Sequence, residues 1–194
     1  MSYRVGIALL LVLASAALAA PVTSTFTVDA EVRALGNRDY EIGTSTLTFT
    51  PEGGAGFRIQ ASGRVAHPLD AAAIYEYTLD MRFRLKADRL EIVSSHNTSN
   101  ATGKEILEKV ENIFPFAYLS RALPRTAKGY RLATRDGTYT MTYSGAGAST
   151  EVSIARGDRE VARFFVAPAS SGLAALPRFR IIRRNGANLM FQAR

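Results

Sequence analysis

From Tyr75 to Lys86 the chain alternates without a fault. Tyr75, Tyr77, Leu79, Met81, Phe83 and Leu85 share one parity, and Glu76, Thr78, Asp80, Arg82, Arg84 and Lys86 share the other. Successive side chains of an extended strand point to opposite faces, so this segment is committed to a strand with one dry and one wet face. A helix would scatter the same apolar residues round its circumference. The dry row is rich in aromatic rings and must be covered by something, and the rest of the chain has to supply the cover.

Most of the chain repeats this grammar in shorter pieces. Phe26, Val28, Ala30 and Val32 alternate within 24–35, and Gly36-Asn37 and Arg38-Asp39 make the turn that follows. In the next strand, 40–50, Tyr40 and Ile42 share one parity while Leu47 and Phe49 share the other, so the phase slips. A slip needs an extra residue, and Gly43 is where a bulge fits. Pro51-Glu52-Gly53-Gly54 turns the chain into a third strand marked by Phe57, Ile59, Ala61 and Val65. Leu90 to Ser95 reads as the hairpin partner of 75–85, with Ser94 to Asn100 as a polar loop. Later strands flank Arg135-Asp136-Gly137, Gly157-Asp158 and Asn185-Gly186, all hairpin dipeptides or close to them.

One segment changes period. Thr102 and Glu105 have the spacing of a capping box. Ile106, Leu107, Val110, Ile113 and Phe114 then recur at helical spacing, with Glu105, Glu108, Lys109 and Glu111 on the other side. Pro115 is expected to end or kink this helix, with a second turn or short helix from Phe116 to Leu123. The predicted fold is therefore mainly β. It is an antiparallel meander of about ten strands forming a curved sheet or small barrel, with one helical insert over about 102–123 that lies against the dry face. On this reading the helix is a movable cover, hinged at 94–100 and at Pro115.

Residues 1–19, MSYRVGIALLLVLASAALA, carry a positive residue at Arg4, an apolar run from Val5 to Leu13 and an Ala17-x-Ala19 cleavage pattern. That is the layout of a secretory signal peptide, and the run is short of the roughly 20 residues a membrane span needs. The expectation is an exported protein, periplasmic or extracellular, with a single soluble domain over 20–194 and no transmembrane segment after cleavage. Cysteine is absent, so neither disulfides nor a lipid-modified cysteine enter, and a chain rich in Ala, Arg and Gly fits a bacterial envelope. The net charge of +7 favours anionic partners such as phospholipid head groups or wall polymers. Export argues against nucleic acid.

The residues offer no obvious reaction chemistry. His67 and His96 stand apart with no thiolate, which is too little for a structural zinc site, so no metal and no cofactor is expected. Ser94-Ser95-His96 and Ser170-Ser171 lack a nucleophile elbow. Asp88, Asp136 and Asp158 are turn residues, while Glu76 and Asp80 alternate with arginines and read as cross-strand ion pairs. Asn97 and Asn100 head N-x-[ST] triplets in a polar stretch and are read as chance matches. No catalytic residue is assigned. The candidate ligand-binding surface is the dry row Tyr75, Tyr77, Leu79, Met81 and Phe83 facing Ile106, Val110 and Phe114 of the helix. The candidate anion-binding cluster is Arg178, Arg180, Arg183 and Arg184, and Arg121, Arg125, Lys128 and Arg131 form a second basic group after the helix.

The order of segments carries a resemblance. A strand is followed by Tyr40-Glu41-Ile42-Gly43, then Thr46-Leu47-Thr48-Phe49, Phe57-Arg58-Ile59 and the long strand Tyr75 to Leu85. This is similar to a broad group of periplasmic bacterial proteins with meandering antiparallel sheets. It also resembles the LolA and LolB lipoprotein carriers, whose curved sheet is lidded by helices over an apolar cavity. The resemblance implies a non-enzymatic envelope protein that binds an apolar or amphipathic ligand between sheet and helix. Two other readings stand beside it: a basic interaction module that holds an anionic envelope polymer or partner protein, and a hydrolase with an unrecognised site.

Overall fold

Eleven strands hydrogen-bond in chain order and the last returns to the first, so the sheet closes into a barrel. The computed structural model describes residues 20–32, 38–67, 70–100, 104–125, 129–145, 150–166, 178–182 and 188–194, with backbone alone at 32, 38, 39, 71 and 104–109. The strands are β1 (Val22–Val32), β2 (Arg38–Glu52), β3 (Gly56–His67), β4 (Asp70–Lys86), β5 (Arg89–Ser99), β6 (Tyr130–Thr134), β7 (Gly137–Ser144), β8 (Thr150–Arg156), β9 (Arg159–Val166), β10 (Arg178–Ile181) and β11 (Asn188–Ala193). The single described helix, α1 (Lys104–Ala122), falls between β5 and β6.

Strand number imposes a consequence on this ring. Direction alternates at every antiparallel junction, so an all-antiparallel ring needs an even count. With eleven strands, at least one junction has to be parallel. It is β5–β6, where the connection carries the one described helix, giving the long crossover a parallel neighbour requires. That junction is held by a single bridge, Arg89 opposite Ala133, and by the Ala133 N–H bonded to Asp88 O at 2.8 Å. By contrast, β3 and β4 are paired over twelve residue positions, from Gly56 opposite Arg84 to His67 opposite Asp70.

The alternation read from sequence sets the two faces of the wall. In β4, Tyr75, Tyr77, Leu79, Met81, Phe83 and Leu85 are all buried, while Glu76, Thr78, Arg82, Arg84 and Lys86 are exposed. The outward charges pair across strands as predicted, Arg64 with Glu76 at 2.9 Å and Arg58 bidentate with Asp80. The wall is thus apolar inward and charged outward, the reverse of a barrel that faces lipid. The predicted bulge in β2 is present. Val28 faces Gly43 and Asp29 faces Glu41, which leaves Ile42 as the extra residue. Only glycine fits there, since a Cβ on Gly43 would lie 2.1 Å from Arg64 O.

The helix plugs the concave side of the sheet, and because the sheet closes into a ring, that side is the lumen. Consecutive residues 113 to 120 are all buried, more than two turns with no face left for solvent. Its rings touch opposite arcs of the ring. Phe114 meets Phe179 and Phe191 edge-on at 5.8 and 6.0 Å, Phe116 meets Tyr139 at 5.0 Å, and Tyr118 stacks on Phe57 at 4.1 Å. The helix is also unbroken through Pro115, where a stop or kink was predicted. Pro in a helix interior costs about 3 kcal/mol. The four residues after it, Phe116 to Leu119, are each fully buried against the wall, and that burial outweighs one lost backbone bond.

A second difference is in β5. The stretch 94–100, read as a polar loop, is strand as far as Ser99. Opposite Met81, Leu79 and Tyr77 of β4 stand Ser95, Asn97 and Ser99, of which Asn97 is half-buried and both serines are exposed. Only Asn97 meets the helix, donating from Nδ2 to Glu111. A strand with no buried apolar row is, in sequence, indistinguishable from a loop. Asn100 is likewise structural, accepting from the Glu76 N–H at 3.2 Å and donating to Ile74 O at 2.6 Å.

Candidate functional site

The β5–β6 seam follows from the strand count, and it is where the wall is open. Beyond Arg89, β5 continues for ten residues with no ladder partner on that side. A cleft of about 570 Å³ lies there, lined by Arg89, Leu90, Glu91, Ile92, Thr134 and Arg135. It narrows inward to a space of about 20 Å³ bounded by Phe83 of the wall and by Glu111, Asn112 and Pro115 of α1. The outer part falls within the several-hundred Å³ range of small-molecule sites. The seam thus gives a path from an open, charged rim to a mixed floor between sheet and helix, apolar at Phe83 and Pro115 and polar at Glu111 and Asn112.

Local sequence explains the rim. The β4–β5 register shifts between Arg82 and Phe83, so Ser94 faces Arg82 and Ile92 faces Phe83, with Val93 as the bulged residue. A bulge puts neighbours out of phase. Ile92 and Val93 are therefore both exposed, at 39 % and 56 %, and only Tyr40 joins them among the large exposed apolar side chains described. The other wall of the cleft is the β6–β7 hairpin. There Asp136 accepts from Thr134 Oγ1 at 2.6 Å and from Tyr139 Oη at 2.7 Å, with Arg156 at 3.6 Å. Burial alone would raise the Asp136 pKa, but those two hydrogen bonds and the Arg156 charge outweigh it and hold the carboxyl below its ordinary value. Burial and the same carboxylate push the Tyr139 phenol well above its ordinary value.

Asp136 is therefore committed to its own hairpin. The other rim carboxylate, Glu91, lies 3.9 Å from Lys86. Arg89 and Arg135 are exposed at the rim with the nearby acids engaged elsewhere. The rim is a weakly basic edge beside two exposed aliphatic side chains.

The residues singled out from sequence are distributed unevenly. Phe83 borders the cleft. Tyr75, Leu79, Met81, Val110 and Phe114 are buried in the interior and border no concavity described. Tyr77 packs beneath Gly63, where a Cβ would come within 2.4 Å of its ring, and its hydroxyl is 2.8 Å from Ser45 Oγ. It also borders a second, outward groove of about 470 Å³ over β2–β5. Polar groups of that groove satisfy one another, as in the Thr78–Thr98 contact at 2.6 Å and the Arg64–Glu76 pair. The Ile106 side chain lies outside the described residues, as do Arg183 and Arg184. Arg180 is ion-paired with Glu31, and Arg178 lies over the Phe165 ring at 4.1 Å. The sequence-derived anion cluster thus has one of its four members neutralised by the fold.

No protein-family model and no curated protein matches this sequence. The cleft residues that sequence reasoning passed over are Leu90, Ile92, Glu111, Asn112, Pro115, Thr134 and Arg135. Two adjacent apolar residues on opposite parities, Ile92-Val93, were the signal that a bulge exposes one of them. Nothing in the sequence announced that β6 would lie beside β5. Among the described residues, no group of three or more His, Asp or Glu is placed to hold a metal, and no helix is long and apolar enough to cross a membrane.

Proposed function

We propose that this protein is a non-enzymatic, exported envelope protein that binds an amphipathic ligand at the β5–β6 seam, between sheet and helix. One observation carries the reading: the wall is open where it must be parallel, and the opening leads from Arg89, Arg135, Ile92 and Val93 at the surface to Phe83 and Pro115 beneath. An anionic head at the arginines and an apolar tail along Ile92 toward Pro115 match this gradient. The amino-terminal segment with signal-peptide layout supports a lipid-rich compartment, and the resemblance to the LolA and LolB carriers supports the ligand class. The interior is filled by α1, so entry of a long tail requires the helix and β5 to part. A junction held by one bridge is the part of the wall that yields most readily.

The test is extraction of lipid from the purified protein, followed by titration with a fluorescent fatty acid. Wild type should bind saturably. Ile92→Glu should weaken binding at least tenfold while circular dichroism stays native, because the side chain is 39 % exposed. Tyr40→Ala, at an exposed aromatic outside the cleft, should leave binding unchanged. Equal binding by wild type and Ile92→Glu, or none by wild type, rejects the seam as the site.

A further inference from the structure

The last turn of α1 carries a cation that the protein does not neutralise. Arg121 is half-buried, and its Nη1 is sealed from solvent with no hydrogen-bond acceptor. Four residues further, past the end of the helix, Arg125 is also half-buried and donates from Nη1 to Thr150 Oγ1 at 2.8 Å. Burial first, and then the Arg125 charge, push the Arg121 guanidinium down from 12.5 to about 10. No carboxylate contributes. The nearest acid on the helix, Glu111, is ten residues back, about 15 Å along the axis, and is bonded to Asn97. The segments after α1 that lie outside the described residues, 126–128, 146–149, 167–177 and 183–187, contain no Asp or Glu.

The carbonyl end of a helix favours a cation, and that accounts for one arginine here. It does not account for a second beside it, nor for a buried N–H left bare, since like charges in a low-dielectric setting repel and an unmet buried donor is costly. Buried charges persist where they are paired or bound. The guanidinium fork fits the oxygens of a phosphate or carboxylate in two-point fashion. Thr150, itself buried, accepts from Arg125 with its oxygen and keeps its own O–H to donate.

We propose that Arg121, Arg125 and Thr150 form a binding site for a phosphate-class oxyanion at the carboxyl-terminal end of α1. The site is independent of the seam: the helix residues that floor the cleft are Glu111, Asn112 and Pro115, more than a full turn before Arg121. Two sources share this chemistry, free phosphate and the phosphodiester head of a phospholipid, and the experiment separates them.

Calorimetric titration uses inorganic phosphate in one arm and monomeric short-chain phosphatidylglycerol in the other, both against sodium chloride at matched ionic strength. The expected result is saturable binding in at least one arm, with a rise in Tm over the salt control. Arg121→Met should weaken binding at least tenfold and, without ligand, unfold at a higher temperature than wild type because the bare buried charge is gone. Binding in both arms assigns a free oxyanion; binding in the lipid arm alone assigns the head group. Arg125→Met and Thr150→Val give a second route if Arg121→Met does not fold, and each should weaken binding. Tyr40→Ala, at an exposed side chain outside both sites, should bind as wild type does, and lipid binding counts for this site only where Arg121→Met weakens it. No saturable binding in either arm, or binding unaltered by Arg121→Met or by Arg125→Met, overturns the proposal.

Discussion

Two tyrosines buried in the same barrel should respond with opposite sign to loss of one oxygen. Tyr118 of α1 stacks on Phe57 at 4.1 Å, tilts against Phe49 at 5.8 Å and is fully buried, yet its hydroxyl has no hydrogen-bond partner. Tyr77 of β4 is almost as buried, but its hydroxyl lies 2.8 Å from Ser45 Oγ. An unmet buried polar group costs about 1–3 kcal/mol, whereas a satisfied hydrogen bond contributes about 0.5–1.5 kcal/mol net. Tyr118→Phe keeps both ring contacts and removes only the stranded oxygen, so it should stabilise by about 1–2 kcal/mol. Tyr77→Phe should destabilise by about 1 kcal/mol, softened because Ser45 Oγ still donates to Ser62 O at 3.1 Å. At roughly 2–4 °C per kcal/mol for a domain of this size, the two melting temperatures should fall several degrees apart on either side of wild type. Urea unfolding followed by circular dichroism, with unchanged m-values, checks the free energies. A Tyr118→Phe protein less stable than wild type would refute the reasoning, because it would mean that the hydroxyl has a partner.

Alkaline pH should unfold the domain over a definite window. Burial raises both the Tyr77 and the Tyr118 phenol from 10 to about 12. A group with a raised folded pKa keeps its full contribution below pH 10 and loses it as pH climbs to 12, up to roughly 2.7 kcal/mol for each tyrosine at 1.36 kcal/mol per pH unit. Stability measured across that window should fall by less in Tyr118→Phe; equal slopes would count against a buried phenol at 118. Separately, Val110→Asp should abolish the β signal along with the helical one in circular dichroism, because Val110 is fully buried in a helix that fills the lumen and an unpaired carboxylate there costs several kcal/mol. A sheet that stays folded in that variant would show that the helix is a detachable cover.

The local grammar of this chain was legible wherever one periodicity met one environment. Alternation in 75–86 named the inward row of β4 residue by residue, the phase slip placed the bulge at Gly43, and hairpin dipeptides such as Arg135-Asp136 and Gly157-Asp158 located turns of the meander. These are properties of neighbours in sequence, and neighbours fix which way a side chain points. The pattern could not say what stands across the lumen. Phe116 to Leu119 had too few polar positions to show an amphipathic stripe, so sequence divided the 102–123 helix at Pro115 into a helix and a second turn or short helix; a helix enclosed on every side has no wet face to reveal that its period continues. Ser95, Asn97 and Ser99 read as loop for another reason: beyond Glu91 this strand is exposed apart from the half-buried Asn97, so no buried apolar row marks its period.

What the sequence by itself determined is the parity of the amphipathic strands such as β1 and β4, the position of the helical insert and the absence of any cysteine-based restraint. What only the tertiary structure decided is closure. Joining β1 to β11 makes a ring of eleven, an odd ring cannot alternate throughout, and the parallel junction falls at the helix crossover. The seam cleft beside Ile92 and Arg135 exists because of that count, and the bare Arg121 exists because the helix ends inside a closed wall. Neither consequence is written in any local stretch of residues, because each depends on contacts between elements that stand far apart in the chain.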